Sequence, residues 1–244
     1  MKEFIYGRNP VFETLRARRR QVFGLLVAEG AQEKGRLGEI LQMAKERKIP
    51  AQPVSRARLD KLSEGAQGIA AEVEGYPYVG LVDIIGKTHQ DDEPLFVLIL
   101  DSIQNPQNLG TLIRSAESFG VHGVVIPGHR SAEVTPAVVS ASAGASEHML
   151  IAQANLAQAL DELKEAGAWV VGLDEDPSSL NPDQVSLKGA LAVVVGSEGE
   201  GLRQLVKQKC DFLLRLPMCG QIESLNAAVA GSIVLYLASL VRKS

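Results

Sequence analysis

Two hydrophobic rhythms divide the chain. Through residues 1–75 apolar positions recur in short groups between charged stretches. They predict an opening helix around Asn9 to Arg18, a strand VFGLLVA, an amphipathic helix EKGRLGEILQMAKERK, a short strand AQPV, a helix SRARLDKL and a strand GIAAEVE. That pattern describes a small α/β unit. Residues 76–93 mix turn formers and charge with one apolar patch, Leu81 to Ile85, and read as a connection carrying a short docked helix.

Across residues 94–244 the strands are nearly continuous in apolar residues: LFVLIL, VHGVVIP, HMLIAQ, AWVVGL, LAVVVG and DFLLRL. Between them the spacing predicts a helix with Leu109, Leu112, Ile113, Ala116 and Phe119 on one face, and a short helix opened by Thr135 and Pro136. The helix NLAQALDELKEAG capped by Asn155, a short helix from Leu202 and a long apolar helix from about Ser224 complete the series. Strands with no polar face, separated by helices, predict a parallel sheet covered on both sides. The fold class is α/β, and ligands of such sheets bind at loops that follow the carboxyl ends of strands.

Charge refines this picture. The 244 residues carry a net charge of −4, but residues 1–88 hold 15 Lys/Arg against 11 Asp/Glu and the remainder 10 against 18. Residues 1–61 alone carry 14 basic and 7 acidic side chains, including RARRR at Arg16 to Arg20. A basic module joined to an acidic one points to polyanion binding by the first and chemistry in the second. Taken alone, RARRR fits a solvated helix end equally well. No apolar run has the length to span a bilayer, and MKEFIYGRNP has no apolar signal region, so a cytoplasmic protein without a membrane partner is expected. Two cysteines and four histidines argue against a disulfide framework and a zinc cluster. No metal is expected, and Cys210 and Cys219 read as inert small residues.

Three loops are rich in glycine and polar residues. In DSIQNPQNLGTLIRSA, Asn105-Pro106 makes a turn, Asn108 at the helix start reads on its own as a cap, and Arg114 interrupts an apolar helix face. An inward Arg114 would need an anionic partner. The second loop, VVVGSEGEGL, has glycines at 196, 199 and 201 that let backbone approach a ligand, yet carries Glu198 and Glu200 where a phosphate cradle would place Lys and Ser/Thr. In the third, LPMCGQIESLNAAVAGSIVLYL, Ser224 and Asn226 lead into a helix apolar on most faces, which needs cover from the core or from a partner subunit. Ser224 reads either as an N-cap or as a functional group.

In order and spacing these blocks resemble the three motifs of the SpoU (TrmH-like) ribose 2′-O-methyltransferases of the SPOUT superfamily. The opening YGRNPVFETL and the basic unit resemble the RNA-binding domain of the branch that modifies 23S ribosomal RNA, so nearly the whole chain is covered. The resemblance implies a parallel-sheet domain with a C-terminal trefoil knot, S-adenosylmethionine as cofactor, a homodimer and 2′-O-methylation of a ribose in RNA, most simply a guanosine of 23S ribosomal RNA. Transfer RNA as substrate and a non-catalytic RNA-binding assembly factor are the alternatives, the latter disfavoured by the presence of Arg114, Glu198 and Asn226 together. A sulfonium cofactor without phosphate also explains carboxylates in a glycine loop.

By the same resemblance the catalytic positions are Asn108, Arg114, Glu198, Ser224 and Asn226, with Arg114 foremost. Cofactor contacts fall at Gly172, Leu173, Gly196, Leu216, Met218 and Leu225. In the RNA-binding unit Arg8, Arg18, Arg19 and Arg20 are expected to contact phosphates and Asn9 a base or sugar. Glu198 is expected to hold Arg114 in a bidentate pair. Glu200 and Glu223 read as solvated loop carboxylates.

Overall fold

The computed structural model describes residues 2–91, 93–129, 131–222 and 224–242; Glu223 lies outside the described residues. The first elements are β1 (Lys2–Tyr6), α1 (Arg8–Ala17), β2 (Val22–Ala28), α2 (Arg36–Glu46), β3 (Ala51–Val54), α3 (Arg56–Asp60) and β4 (Ile69–Glu74). They are followed by α4 (Leu81–Asp91), β5 (Phe96–Leu100), α5 (Pro106–Ser118), β6 (Gly123–Ile126), α6 (Pro136–Ala141), β7 (Leu150–Gln153) and α7 (Leu156–Glu165). The last are β8 (Trp169–Leu173), β9 (Leu191–Val195), α8 (Gln204–Lys209), β10 (Phe212–Leu214) and α9 (Ala227–Arg242). Contacts divide the chain into two units, Met1–Pro77 with Glu133–His148, and Tyr78–Ala132 with Met149–Ser244.

The first unit is a four-stranded sheet in the order β1-β4-β2-β3. β4 runs antiparallel to both β1 and β2, and β3 lies parallel to β2. Its core is built from Ile5, Leu25 and Ile69 of the sheet and from Leu15, Leu37, Ile40 and Leu59, the apolar stripes of the helices. β1 is absent from the sequence reading because KEFIY is a short edge strand in which Ile5 alone is fully buried, so it carries little alternation. The segment Glu133–His148 packs in this unit. Arg20, wholly buried, reaches Glu147 through Nε at 2.9 Å and Nη2 at 2.5 Å.

The second unit has a six-stranded sheet in the order β10-β8-β9-β5-β6-β7, every pair parallel. All five residues of β5 and of β9 are buried, which is why neither shows a polar face in sequence. The apolar patch after Tyr78 is α4, docked by Leu81 and Ile84; a Cβ at Gly123 would lie 2.6 Å from Ile84. α9 begins three residues later than Ser224. Its buried face packs on α5 and β9, where a Cβ at Gly231 would meet Leu112 at 2.6 Å and where Ser232 Oγ lies 2.7 Å from Ser115 Oγ. No helix among the described residues is long and apolar enough to cross a membrane.

One buried histidine is expected to make the second unit acid-sensitive, although Glu93, 3.5 Å from its Nε2, works against the effect. The Phe96 N–H donates to His122 Nδ1 at 2.9 Å, which requires an unprotonated acceptor nitrogen. Burial, and then the Arg242 guanidinium, lower its pKa below the ordinary 6.5. The unfolded chain therefore binds a proton that the folded chain refuses. This contribution to stability is full above about pH 6.5 and is lost as pH falls through the folded value. The urea midpoint is expected to fall between pH 7 and 5, and to fall less in His122→Gln; equal slopes in the two proteins would remove His122 as the cause.

Candidate active site

Neighbouring strands β10, β8 and β9 end side by side, and the loops leaving their carboxyl ends line a cleft of about 620 Å³. Leu173 and Asp174 enter it from β8, Gly196 to Gly201 from β9, Leu216 and Met218 from β10, and Ser224 to Ala227 on the approach to α9. Five expected cofactor positions, Leu173, Gly196, Leu216, Met218 and Leu225, thus line one cleft. Gly172 does not. It is buried, and a Cβ there would lie 2.7 Å from Cys210 Sγ and Leu202 Cδ1, so its small size serves packing. Burial also pushes the Cys210 thiol up to about 12, in keeping with an inert residue.

The glycine loop doubles back on itself. Ser197 and Gly201 exchange backbone hydrogen bonds of 3.1 Å, with Gly199 at φ 87° and Gly201 at φ 66°. A Cβ on Gly196 would run into the Gly201 carbonyl and lie 2.7 Å from the Leu202 nitrogen. Behind the loop, Asp101 at the end of β5 is fully buried. Its carboxylate accepts from the Arg203 amide at 2.8 Å and from Arg203 Nε at 2.6 Å, tying the segment after the glycines to the sheet. Asp101 stands in the quoted motif, but nothing in the sequence distinguishes it from a solvated loop aspartate.

Three polar side chains, from α5, the loop after β9 and the approach to α9, meet beside the cleft, and helix capping dictates how they are turned. Asn105, not Asn108, caps α5, its Oδ1 accepting from the Gln107 amide at 2.8 Å. Asn226, not Ser224, caps α9, accepting from Ala228 N at 2.9 Å and Val229 N at 3.2 Å. With its oxygen so engaged, Asn226 aims its amide nitrogen at Asn108 Oδ1, 3.2 Å away, and at Glu198 Oε1. Asn108 Nδ2 donates to the same Glu198 oxygen at 3.0 Å. Ser224 is exposed and lines the cleft.

Arg114 stands outside this network. It is exposed on α5 and forms no ion pair among the described residues, so the expected Arg114–Glu198 pair is replaced by amide donors to Glu198. An exposed guanidinium stays solvated and has no need of a buried counter-charge.

The cleft is acidic. Asp174, Glu175, Asp176, Glu198 and Glu200 line it against Arg215. Lys207 answers part of this charge with contacts of 2.8 Å to Asp174 and to Asp176. That ammonium and the Ser178 hydroxyl and amide hold the Asp176 carboxyl below the usual carboxylate range. A polyphosphate would be repelled here, whereas a compact cation is suited.

The basic run of the first unit is less available than its sequence suggests. Arg20 is removed from the expected phosphate contacts, because it is buried against Glu147 and also donates to the Glu74 carbonyl at 3.1 Å. Arg19 donates to Tyr76 Oη and to the Pro77 carbonyl, both at 3.2 Å. Arg18 and Asn9 are exposed and Arg8 is half-buried.

Comparison with known proteins settles the class. The model of the SpoU rRNA Methylase family matches residues 95–236, and that for RNA 2′-O ribose methyltransferase substrate binding matches residues 4–79. The chain belongs to the SpoU rRNA methylase family. Among the relatives of this SpoU chain is YacO of Bacillus subtilis, named for the TrmH family of tRNA/rRNA methyltransferases, 42% identical over 96% of this chain and 94% of its own. An uncharacterized tRNA/rRNA methyltransferase of Mycolicibacterium vanbaalenii is also 42% identical, over 99% of this chain and 77% of its own. The fold matches that of the SpoU methyltransferase AviRb from Streptomyces viridochromogenes, solved with the cofactor AdoMet, at a TM-score of 0.81 and 24% identity, covering 100% of this chain and 91% of that one.

Proposed function

We propose that this SpoU chain transfers a methyl group from S-adenosylmethionine to a ribose 2′-hydroxyl of RNA, a guanosine of 23S ribosomal RNA being the first substrate to test. The observation that carries the reading is the acidic glycine-loop cleft abutting the Asn108–Glu198–Asn226 network. When bound, S-adenosylmethionine supplies a methyl group activated by a sulfonium cation. The residues fit it: carboxylates suit the cation, close backbone at Gly196 can meet adenine and ribose, and Leu173, Leu216, Met218 and Leu225 offer apolar cover.

Asn108 and Asn226 fix the Glu198 carboxylate by its Oε1, leaving Oε2 with no partner among the described residues and available to a ribose hydroxyl. Arg114 is effectively always protonated and has no acceptor, so it acts as a cationic anchor for the adjoining phosphate and not as a base. The knotted threading of the C-terminal part belongs to this reading, as does a homodimer. Val229, Ile233, Tyr236 and Leu240 recur at three- and four-residue spacing on α9 and are 37–49% exposed, a stripe that a second copy would cover. Ile233→Glu is expected to halve the mass seen by light scattering and to lower methyl transfer; an unchanged mass in both proteins would put the interface elsewhere.

The reading is tested by tritiated methyl transfer to unmodified 23S ribosomal RNA and, separately, to bulk transfer RNA. Labelling of the ribosomal RNA at a 2′-oxygen supports it, and labelling of transfer RNA alone changes the substrate but keeps the chemistry. RNA binding without labelling of either would leave an assembly factor.

A further inference from the structure

We propose that a second cleft, of about 360 Å³ in the first unit, holds one nucleotide of a single-stranded stretch of the RNA substrate, with its phosphate against Arg8, Lys34 and Arg56. The proposal rests on the reading of RNA as substrate and adds to it a place of binding. The cleft is lined by Arg8 at the start of α1, by the loop after β2 from Glu29 to Gln32 with Lys34, by Arg56 opening α3, and by Gln67 and Gly68 ahead of β4. These residues are up to 60 positions apart in sequence, from Arg8 to Gly68, and the basic run RARRR contributes none of them.

Charge argues for an anion. Lys34 and Arg56 are exposed, and neither they nor Arg8 make an ion pair among the described residues; Glu29 is the one lining carboxylate. Arg8 is nonetheless held in place. Its backbone amide donates to Gln67 Oε1 at 3.1 Å and its Nε to the Gln67 carbonyl at 3.4 Å, leaving both Nη groups without a partner among the described residues. A guanidinium positioned by its Nε and open at its fork is suited to two phosphate oxygens. Arg16, Arg19 and Arg20, by contrast, are already engaged with Glu13, Tyr76 and Glu147.

Size argues for a single nucleotide. A cleft near the lower end of the ~300–1,000 Å³ range for small-ligand sites admits one base and sugar, not a duplex. Gln32 and the Gln67 amide nitrogen line it as donors for a base edge or a 2′-hydroxyl.

The test measures binding of a short fluorescein-labelled single-stranded oligoribonucleotide to the full chain over a range of salt, beside methyl-transfer kinetics on 23S ribosomal RNA. Arg8→Ala with Arg56→Ala is expected to weaken oligonucleotide binding about tenfold and to reduce the slope of log K against log salt by up to about 0.7, the share of the one phosphate that the cleft neutralises. KM for the RNA should rise in parallel while kcat and S-adenosylmethionine affinity stay unchanged; Arg56→Lys should keep the slope, and Arg58→Ala on the same helix should behave as wild type. If the double variant folds poorly, Lys34→Gln with Arg56→Gln replaces it, since neither side chain has a partner to lose among the described residues. An unchanged salt slope in folded variants overturns the proposal, as does a wild-type chain that binds no oligonucleotide. A wild-type chain that binds it but methylates no RNA defeats the methyltransferase reading alone, and the slope still decides the cleft.

Discussion

Arg114→Ala is expected to lower methyl transfer to 23S ribosomal RNA by about 10²–10³-fold, the usual cost of removing one preorganised charge-stabilising group, here the anchor that grips the adjoining phosphate and favours ionisation of the attacking hydroxyl. Stability and S-adenosylmethionine affinity should be untouched. Arg114 is exposed and makes no ion pair among the described residues, so the fold loses nothing with it, and it is not among the residues lining the 620 Å³ cleft. Structural arginines of this chain look different: Arg20 and Arg203 both end on buried carboxylates, Glu147 and Asp101. The comparison Arg114→Lys separates anchor from base. A lysine keeps the charge and loses the planar fork, so an anchor predicts partial activity with no new ionisation in the rate profile near neutral pH. Full activity in Arg114→Ala, measured as kcat/KM with the same tritiated donor, would exclude the residue from the machinery.

The second sheet was legible because β5 and β9 have no polar face, a pattern that a half-buried strand does not produce. Of the loops that line the cleft, those after β9 and β10 were legible because glycine and polar residues sit where strands end, whereas the acidic loop after β8, Asp174 to Asp176, carries no such signal and the loop before α5 lies outside the lining. What sequence misassigned were pairings. Asn105 and Asn108 are both plausible caps by composition, and only the turn at Pro106 puts Asn105 outside the first helical residue and leaves Asn108 free for Glu198. Ser224 and Asn226 pose the same choice, resolved by a helix that begins at Ala227. Glu198 was expected to hold Arg114 because opposite charges attract, but two amides whose oxygens are already committed present their donors to it instead. Charge counting also overstated the RNA face, since a buried arginine and a solvated one are identical in composition. Arg20 could not be recognised as buried without Glu147, which is 127 residues away in sequence.

That distance makes Glu147→Ala the change with the largest expected effect on stability. The substitution leaves the Arg20 guanidinium wholly buried and without its bidentate partner, and breaking a buried pair from one side costs about 3–5 kcal/mol. Glu3, 3.4 Å from Arg20 Nη1, and the Glu74 carbonyl remain, but both address Nη1 and leave Nε and Nη2 unpaired. The Tyr76 ring, 5.2 Å from the guanidinium, offers a cation–π contact that does not satisfy those donors. Removing both charges together, as Arg20→Met with Glu147→Leu, should recover most of the loss, because the attraction within the pair is largely spent on desolvating its members. Urea unfolding of the single and double variants measures this. A single variant as stable as wild type would mean that water reaches Arg20, and a double variant no better than the single would mean that packing around the pair, not its charge, holds Glu133–His148 in the first unit. Either variant should leave S-adenosylmethionine affinity unchanged, since no residue lining the 620 Å³ cleft belongs to that unit.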